Sequence, residues 1–117
     1  MLKKEVLRRD KDFSAIYRKG KNVPDKYVVV IFRKNGLSYN RTAFLASKKV
    51  GNSVQRNRAK RLLKESYRFQ KEYLKQGYDI IFISRNRING RGFEEVNRSV
   101  INALQRSGLI KSREVEQ

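Results

Sequence analysis

The chain contains no cysteine and no histidine. Without cysteine there can be no disulfide and no thiolate metal site, an absence that fits a reducing compartment. Without histidine the chain lacks the usual general base near neutral pH and the commonest protein metal ligand, so catalysis by the protein alone is hard to build. Acidic residues are scarce as well, 11 against 29 Lys and Arg, which leaves a formal charge of +18. Such a chain repels itself when compact and sits most favourably beside a polyanion; nucleic acid is the leading expected partner. No window approaches the roughly 18 apolar residues of a membrane span. The opening stretch MLKKEVLRRDKDF is charged throughout and has no apolar run of signal-peptide length. A cytoplasmic location with no membrane partner is expected.

What is present argues for a folded protein. Six Tyr, six Phe and 38% apolar residues are more than a disordered basic tail carries, and 117 residues suit one domain with a modest core. We expect a single RNA-binding domain over 1–110 and a polar tail at 111–117.

Asp10 or Asp12 can cap a short helix whose Phe13, Ile16 and Tyr17 share one face, with Gly20 placed to end it. A short extra strand near 20–24 is possible before Pro24 breaks the chain. Residues 27–33 (YVVVIFR) form a β-branched and aromatic run that predicts a strand. Asn35-Gly36 suggests a reversal into a returning strand over 41–47 (RTAFLAS), although the intervening residues lengthen the loop beyond a tight hairpin.

From about residue 52 to 76 the pattern turns helical, with Gly77 closing it. At about 100° per residue, Ala59, Leu62, Leu63, Ser66, Phe69, Tyr73 and Leu74 gather on one side. Asn57, Lys60, Arg61, Lys64, Arg68 and Lys71 gather on the other. The run at 78–84 (YDIIFIS) reads as a central strand. Residues 93–107 predict a last helix with Glu94 and Glu95 in its first turn, Val96, Val100, Ala103 and Leu104 inward, and Gly108 as its stop. The order describes an α+β fold, a small mixed β-sheet packed with three helices.

The long helix places Arg56 and Arg58 near its positive end, where each cation costs roughly 0.3–1 kcal/mol. A phosphate would offset that cost, since helix N-terminal N–H groups attract anions and arginine adds bidentate donors. Lys48 and Lys49 just upstream would extend such a pocket, with Gly51 permitting close backbone approach. Only Glu65 and Glu72 could pair with the basic stripe at helical spacing, too few to neutralise it.

The stretch SKKVGNSVQRNRAKRLLKE is similar to the signature of the bacterial ribonuclease P protein family, a Lys-Lys-x-Gly-Asn-x-x-x-Arg-Asn-x-x-Lys-Arg pattern that opens a long helix. Lys48, Lys49, Gly51, Asn52, Arg56, Asn57, Lys60 and Arg61 fall in register, and the likeness extends over nearly the whole chain. The resemblance implies a ribosomal protein S5 domain 2-like fold whose parallel β-α-β unit has a left-handed crossover, against the usual rule. It also implies a protein that joins a catalytic RNA, ribonuclease P RNA, to remove the 5′ leader from precursor tRNA. In that family the RNA and its Mg²⁺ perform the hydrolysis, so no organic cofactor and no catalytic residue on the protein are expected. Oligomerisation of the protein is not expected to be required.

Candidate contacts to the catalytic RNA and its phosphates are Lys48, Lys49, Gly51, Asn52, Arg56, Asn57, Arg58, Lys60, Arg61, Lys64 and Arg68. The family's leader cleft lies between the first helix and the sheet. That points to Phe13 and Tyr17, to Tyr27, Val29, Ile31 and Arg33 on one strand face, and to Ala43 and Leu45; aromatic platforms beside basic residues commonly hold single-stranded RNA. Leu45 departs from the family pattern, which often has a hydroxyl there. The same Phe13, Ile16 and Tyr17 spacing equally describes a core face. Two other functions fit the composition. One is a ribosomal-type structural RNA-binding protein with no role in cleavage. The other is a self-sufficient nuclease, which would need clustered carboxylates; Asp10, Asp12, Asp25 and Asp79 are dispersed and read as cap, turn and strand-edge residues.

Overall fold

The structure, a computed structural model, describes residues 2–110; the polar tail expected at 111–117 lies outside the described residues. Among the described residues the regular elements are α1 (Asp10–Lys19), β1 (Lys21–Pro24), β2 (Val28–Lys34), β3 (Arg41–Ala46), α2 (Ser53–Gln70), β4 (Tyr78–Ser84) and α3 (Phe93–Arg106). None of the described helices is long and apolar enough to cross a membrane.

The four strands form one mixed sheet in the order β1-β2-β4-β3. Asn35 and Gly36 do reverse the chain, with Gly36 in the left-handed region at φ 75°, but β3 does not return beside β2. β4 is inserted between them, antiparallel to β2 and parallel to β3. The cause lies in YDIIFIS, which is apolar toward both faces and therefore takes the central place, where both faces are covered. β3, α2 and β4 thus form a parallel β-α-β unit.

Alternation along the strands divides the interior into two cores. Val28, Val30, Phe32, Ile80 and Phe82 face α2 and α3, meeting Ala59, Leu63 and Tyr67 of α2 and Val96, Val100, Ala103 and Leu104 of α3. Ile31, Ala43 and Ile81 face the other way, beneath Ile16 of α1 and Leu7. Each fully buried aliphatic or aromatic side chain contributes about 1.5–3 kcal/mol, so the sheet is held from both sides.

Three details of the helices depart from the sequence pattern. α1 is not capped by Asp10 or Asp12; its N-cap is Arg9, which makes no side-chain cap, and both aspartates lie within the first turn, where they complement the helix dipole. Gly20 ends α1 in an extended conformation instead of a left-handed one. It is needed for space, because a Cβ there would press on the Ile16 carbonyl and lie 2.9 Å from the Phe32 carbonyl oxygen. α2 ends at Gln70, six residues short of the expected stop, and continues as a 3-10 turn over Lys71–Tyr73.

The inward sector of α2 is also rotated. Tyr67 and Gln70 are buried, whereas Phe69 and Tyr73 are 58% and 48% exposed. Tyr67 is drawn in by the rings of Phe44 and Phe82, with centroids 5.5 and 5.6 Å away. That turns Phe69 outward to meet Phe93 at 5.6 Å.

Asp25 ties the turn between β1 and β2 to α3. Its carboxylate accepts from the Lys26 N–H at 2.7 Å, the Ser99 hydroxyl at 2.9 Å and Arg106 at 2.7 Å. Burial pushes this carboxyl up, but the hydrogen bonds from Lys26, Arg106 and Ser99 outweigh it and hold it below its ordinary value. Asp25→Ala should therefore lower stability by about 1–3 kcal/mol at neutral pH. Because the folded pKa is depressed, that contribution is complete above roughly pH 4, the unfolded value, and fades as pH falls through the folded one. Thermal melts of both proteins should show a gap at pH 7 that narrows by pH 3.

Candidate nucleic-acid interface

α2 opens on a reciprocal cap. The Asn52 side-chain oxygen accepts from the Gln55 N–H at 3.0 Å, and the Gln55 side chain accepts from the Asn52 N–H at 3.0 Å. Gly51, at φ 138°, makes the bend that this cap requires, and the Gln55 side chain fills the space where a Gly51 Cβ would stand. The room expected for a phosphate against the Gly51 backbone is therefore taken by Gln55. Lys48 and Lys49 are exposed in a 3-10 turn just before it. Arg58 turns away from the stripe and donates to the Arg91 carbonyl at 2.6 Å.

The stripe itself stands as its periodicity predicts. Asn57, Lys60, Arg61, Lys64 and Arg68 line one wall of an open groove of about 1230 Å³. Arg68 pairs with Glu65 at 3.2 Å and Lys71 with Glu5 at 3.4 Å. Among the described residues, no carboxylate forms an ion pair with Lys48, Lys49, Arg56, Lys60, Arg61 or Lys64. These charges are free to meet a ligand.

The opposite wall is apolar and comes from Val6, Leu7 and Phe13, with Ala43, Phe44 and Leu45 of the edge strand β3 between the two walls. The basic stripe and part of the expected leader cleft thus share one groove. Tyr67 also lines it; burial pushes its hydroxyl up to about 12, so it remains a protonated donor at neutral pH.

Strand register orders the cleft into rows. Val29, Ile83 and Leu45 lie side by side and are only partly buried, while Ile31, Ile81 and Ala43 form the next row, buried beneath Ile16. Arg33, Asp79 and Arg41 form the row beyond. Phe13 is half-buried and Tyr17 is 50% exposed, with ring centroids 6.5 Å apart.

Tyr27 does not belong to this face. A bend at residues 26 and 27 precedes β2, which breaks the alternation, and the Tyr27 ring is buried in the core beneath α3. Its backbone N–H donates to Ser99 at 3.1 Å. Sequence reading also passed over Ile83, whose alternation with Ile81 along YDIIFIS places it in the open row. It missed Val6 and Leu7, although they are an apolar pair within a charged N-terminus.

Asp12 and Asp79, distant in sequence, do converge, but both engage Arg41. Among the described residues, no three His, Cys, Asp or Glu side chains gather as metal ligands.

Residues 1–108 match the family model described as Ribonuclease P. The ribonuclease P protein component of Alkaliphilus oremlandii is 43% identical over 106 residues, spanning 91% of this chain and 93% of the relative. The RNase P protein from Thermotoga maritima superposes with a TM-score of 0.79 at 35% identity, covering 87% of this chain and 96% of that one. That of Staphylococcus aureus does so with a TM-score of 0.83 at 28% identity, over 92% and 98%. Sequence, fold and the open basic stripe agree: this chain belongs to the bacterial ribonuclease P protein component family, the protein subunits of the RNA-based endonuclease that matures tRNA 5′ ends.

Proposed function

We propose that the groove holds RNA along both walls. The α2 stripe grips phosphates of ribonuclease P RNA, and the cleft between α1 and the sheet receives the single-stranded 5′ leader of precursor tRNA. The protein binds and orients; the RNA, with Mg²⁺ bound mainly by it, supplies hydrolysis of the phosphodiester. The carboxylates nearest the groove support that division of labour, since Asp12 and Asp79 are held by Arg41 and Glu5 by Lys71, which leaves them poorly suited to carry Mg²⁺. We place this work in the cytoplasm, in keeping with a cysteine-free chain.

The observation that carries the reading is the set of cations, Lys60, Arg61 and Lys64, that have no ion-pair partner among the described residues and face an apolar cleft across one groove. Burying such charges against protein would be costly, whereas phosphates satisfy them and release counterions. The apolar wall suits unstacked bases, which lie on aromatic and aliphatic surfaces when a strand is not paired.

Four measurements test this. Added to ribonuclease P RNA at low Mg²⁺, the protein should raise cleavage of precursor tRNA; no gain would leave only a scaffolding role. Binding to ribonuclease P RNA should weaken with salt at a logarithmic slope of about −3.5 to −6 if five to seven phosphates are met, and Arg61→Ala should reduce that slope by about 0.7–0.9. The same variant should melt within about 0.5 kcal/mol of the parent, because Arg61 is exposed and makes no ion pair among the described residues. Phe13→Ala should raise KM for long leaders more than for short ones, read by comparing leader lengths in the assembled enzyme.

A further inference from the structure

A polar knot at the far end of the strand rows ties α1, β3 and β4 together. Arg41, the first residue of β3, donates from Nε to Asp79 Oδ1 at 2.8 Å and from Nη2 to Asp79 Oδ2 at 2.6 Å. This two-pronged bond fixes the guanidinium plane on the central strand, and Asn35 steadies the same carboxylate with a bond of 2.9 Å. One prong remains. Arg41 Nη1 reaches Asp12 Oδ2, in the first turn of α1, at 3.4 Å.

The other attachments of α1 lie on both sides of that contact: Leu7, just before the helix, is buried and its N–H donates to the Thr42 carbonyl of β3 at 2.9 Å. Ile16 is buried against Ile31 and Ile81, and Gly20 sits against the Phe32 carbonyl of β2. The end of α1 that lies over β3 is the end that carries Phe13, which borders the groove and is only half-buried. Between the Leu7 tether and the buried Ile16, the first turn of α1 can still tilt over β3, since Phe13 there is only partly packed. The Asp12 to Arg41 contact opposes that movement.

We propose that Asp12, acting through Arg41 and Asp79, is a positioning residue for the 5′ leader: it sets the height of Phe13 above β3 and so the width of the cleft that the strand enters. The inference rests on the leader-cleft reading above. Its sign sets it apart from simple electrostatics. A carboxylate beside an RNA path repels phosphate, so removing it should tighten binding if charge were its only effect. If Asp12 positions Phe13, removing its charge should weaken binding.

The test uses enzyme reassembled with ribonuclease P RNA and precursor tRNAs carrying either a single-nucleotide leader or one long enough to cross α1. Asp12→Asn should raise KM for the long leader about five- to tenfold, leave kcat unchanged and leave the short-leader substrate unaffected. Asp10→Asn makes the same charge change in the same turn, at an exposed residue outside the knot, and should bind the long leader as well as the parent or better. Asp12→Glu, which keeps the charge, should recover most of the loss. Long-leader binding by Asp12→Asn that equals or exceeds the parent's would overturn the proposal, as would an equal loss in Asp10→Asn. Phe13→Ala, measured in parallel, separates the two readings: if it too leaves long-leader binding intact, the cleft assignment itself fails, whereas a loss there without one in Asp12→Asn removes only the positioning role.

Discussion

The aromatic contact among Tyr67, Phe44 and Phe82 fixes what the rest of the molecule can do. Phe44 stacks on Phe82 at 5.1 Å across the parallel pair β3 and β4, and Tyr67 meets both rings edge-on at 5.5 and 5.6 Å. Such ring pairs add about 0.5–1.5 kcal/mol each beyond the burial of their surface. More important here is their geometry. They lock the rotation of α2 about its own axis, and because Lys60 and Lys64 sit on the turns beside Tyr67, that rotation aims the stripe into the groove. A helix free to roll would spread the same charges over solvent.

Electrostatics then explains why the surface stays open. The helix N-terminus, where cations are unfavourable, is satisfied from within by the reciprocal Asn52 and Gln55 cap, and Arg58 finds a backbone carbonyl. No bound anion is required for α2 to begin. The acidic side chains are meanwhile committed elsewhere, Asp25 to α3, Asp12 and Asp79 to Arg41, and Glu5 to Lys71. A chain this basic keeps its few carboxylates for internal ties, and among the described residues Lys60, Arg61 and Lys64 of the stripe are left without ion-pair partners. These three charges enter no ion pair that holds the described fold together, which is what a binding surface that must exchange water for phosphate requires.

Periodicity made much of this legible. The inward residues of α3 are buried as the pattern predicts, β4 spans the expected residues, and the basic side of α2 emerges whole. What periodicity cannot carry is adjacency. The insertion of β4 between β2 and β3 depends on which strand needs cover on both faces, a tertiary competition that local turn chemistry at Asn35-Gly36 does not decide. The Arg41 knot joins residues 29 and 38 positions apart and leaves no mark at helical or strand spacing. Tyr27 leaves the strand face that its spacing suggests because one bend shifts the alternation by a residue, enough to move a side chain to the opposite face. Phe69 and Tyr73 fit an inward sector equally well on a wheel; only the rings of Phe44 and Phe82 choose Tyr67 instead.

The central claim is that the cations along α2 meet RNA while the buried side of the same helix meets only protein. Lysine acylation followed residue by residue, on the protein alone and in the enzyme assembled with ribonuclease P RNA and precursor tRNA, reads this directly. Lys60 and Lys64 should lose reactivity on assembly, while Lys26 and Lys34, exposed at opposite ends of the sheet away from the groove, should react as before. Undiminished acylation at Lys60 and Lys64 in an assembled and active enzyme would contradict the account.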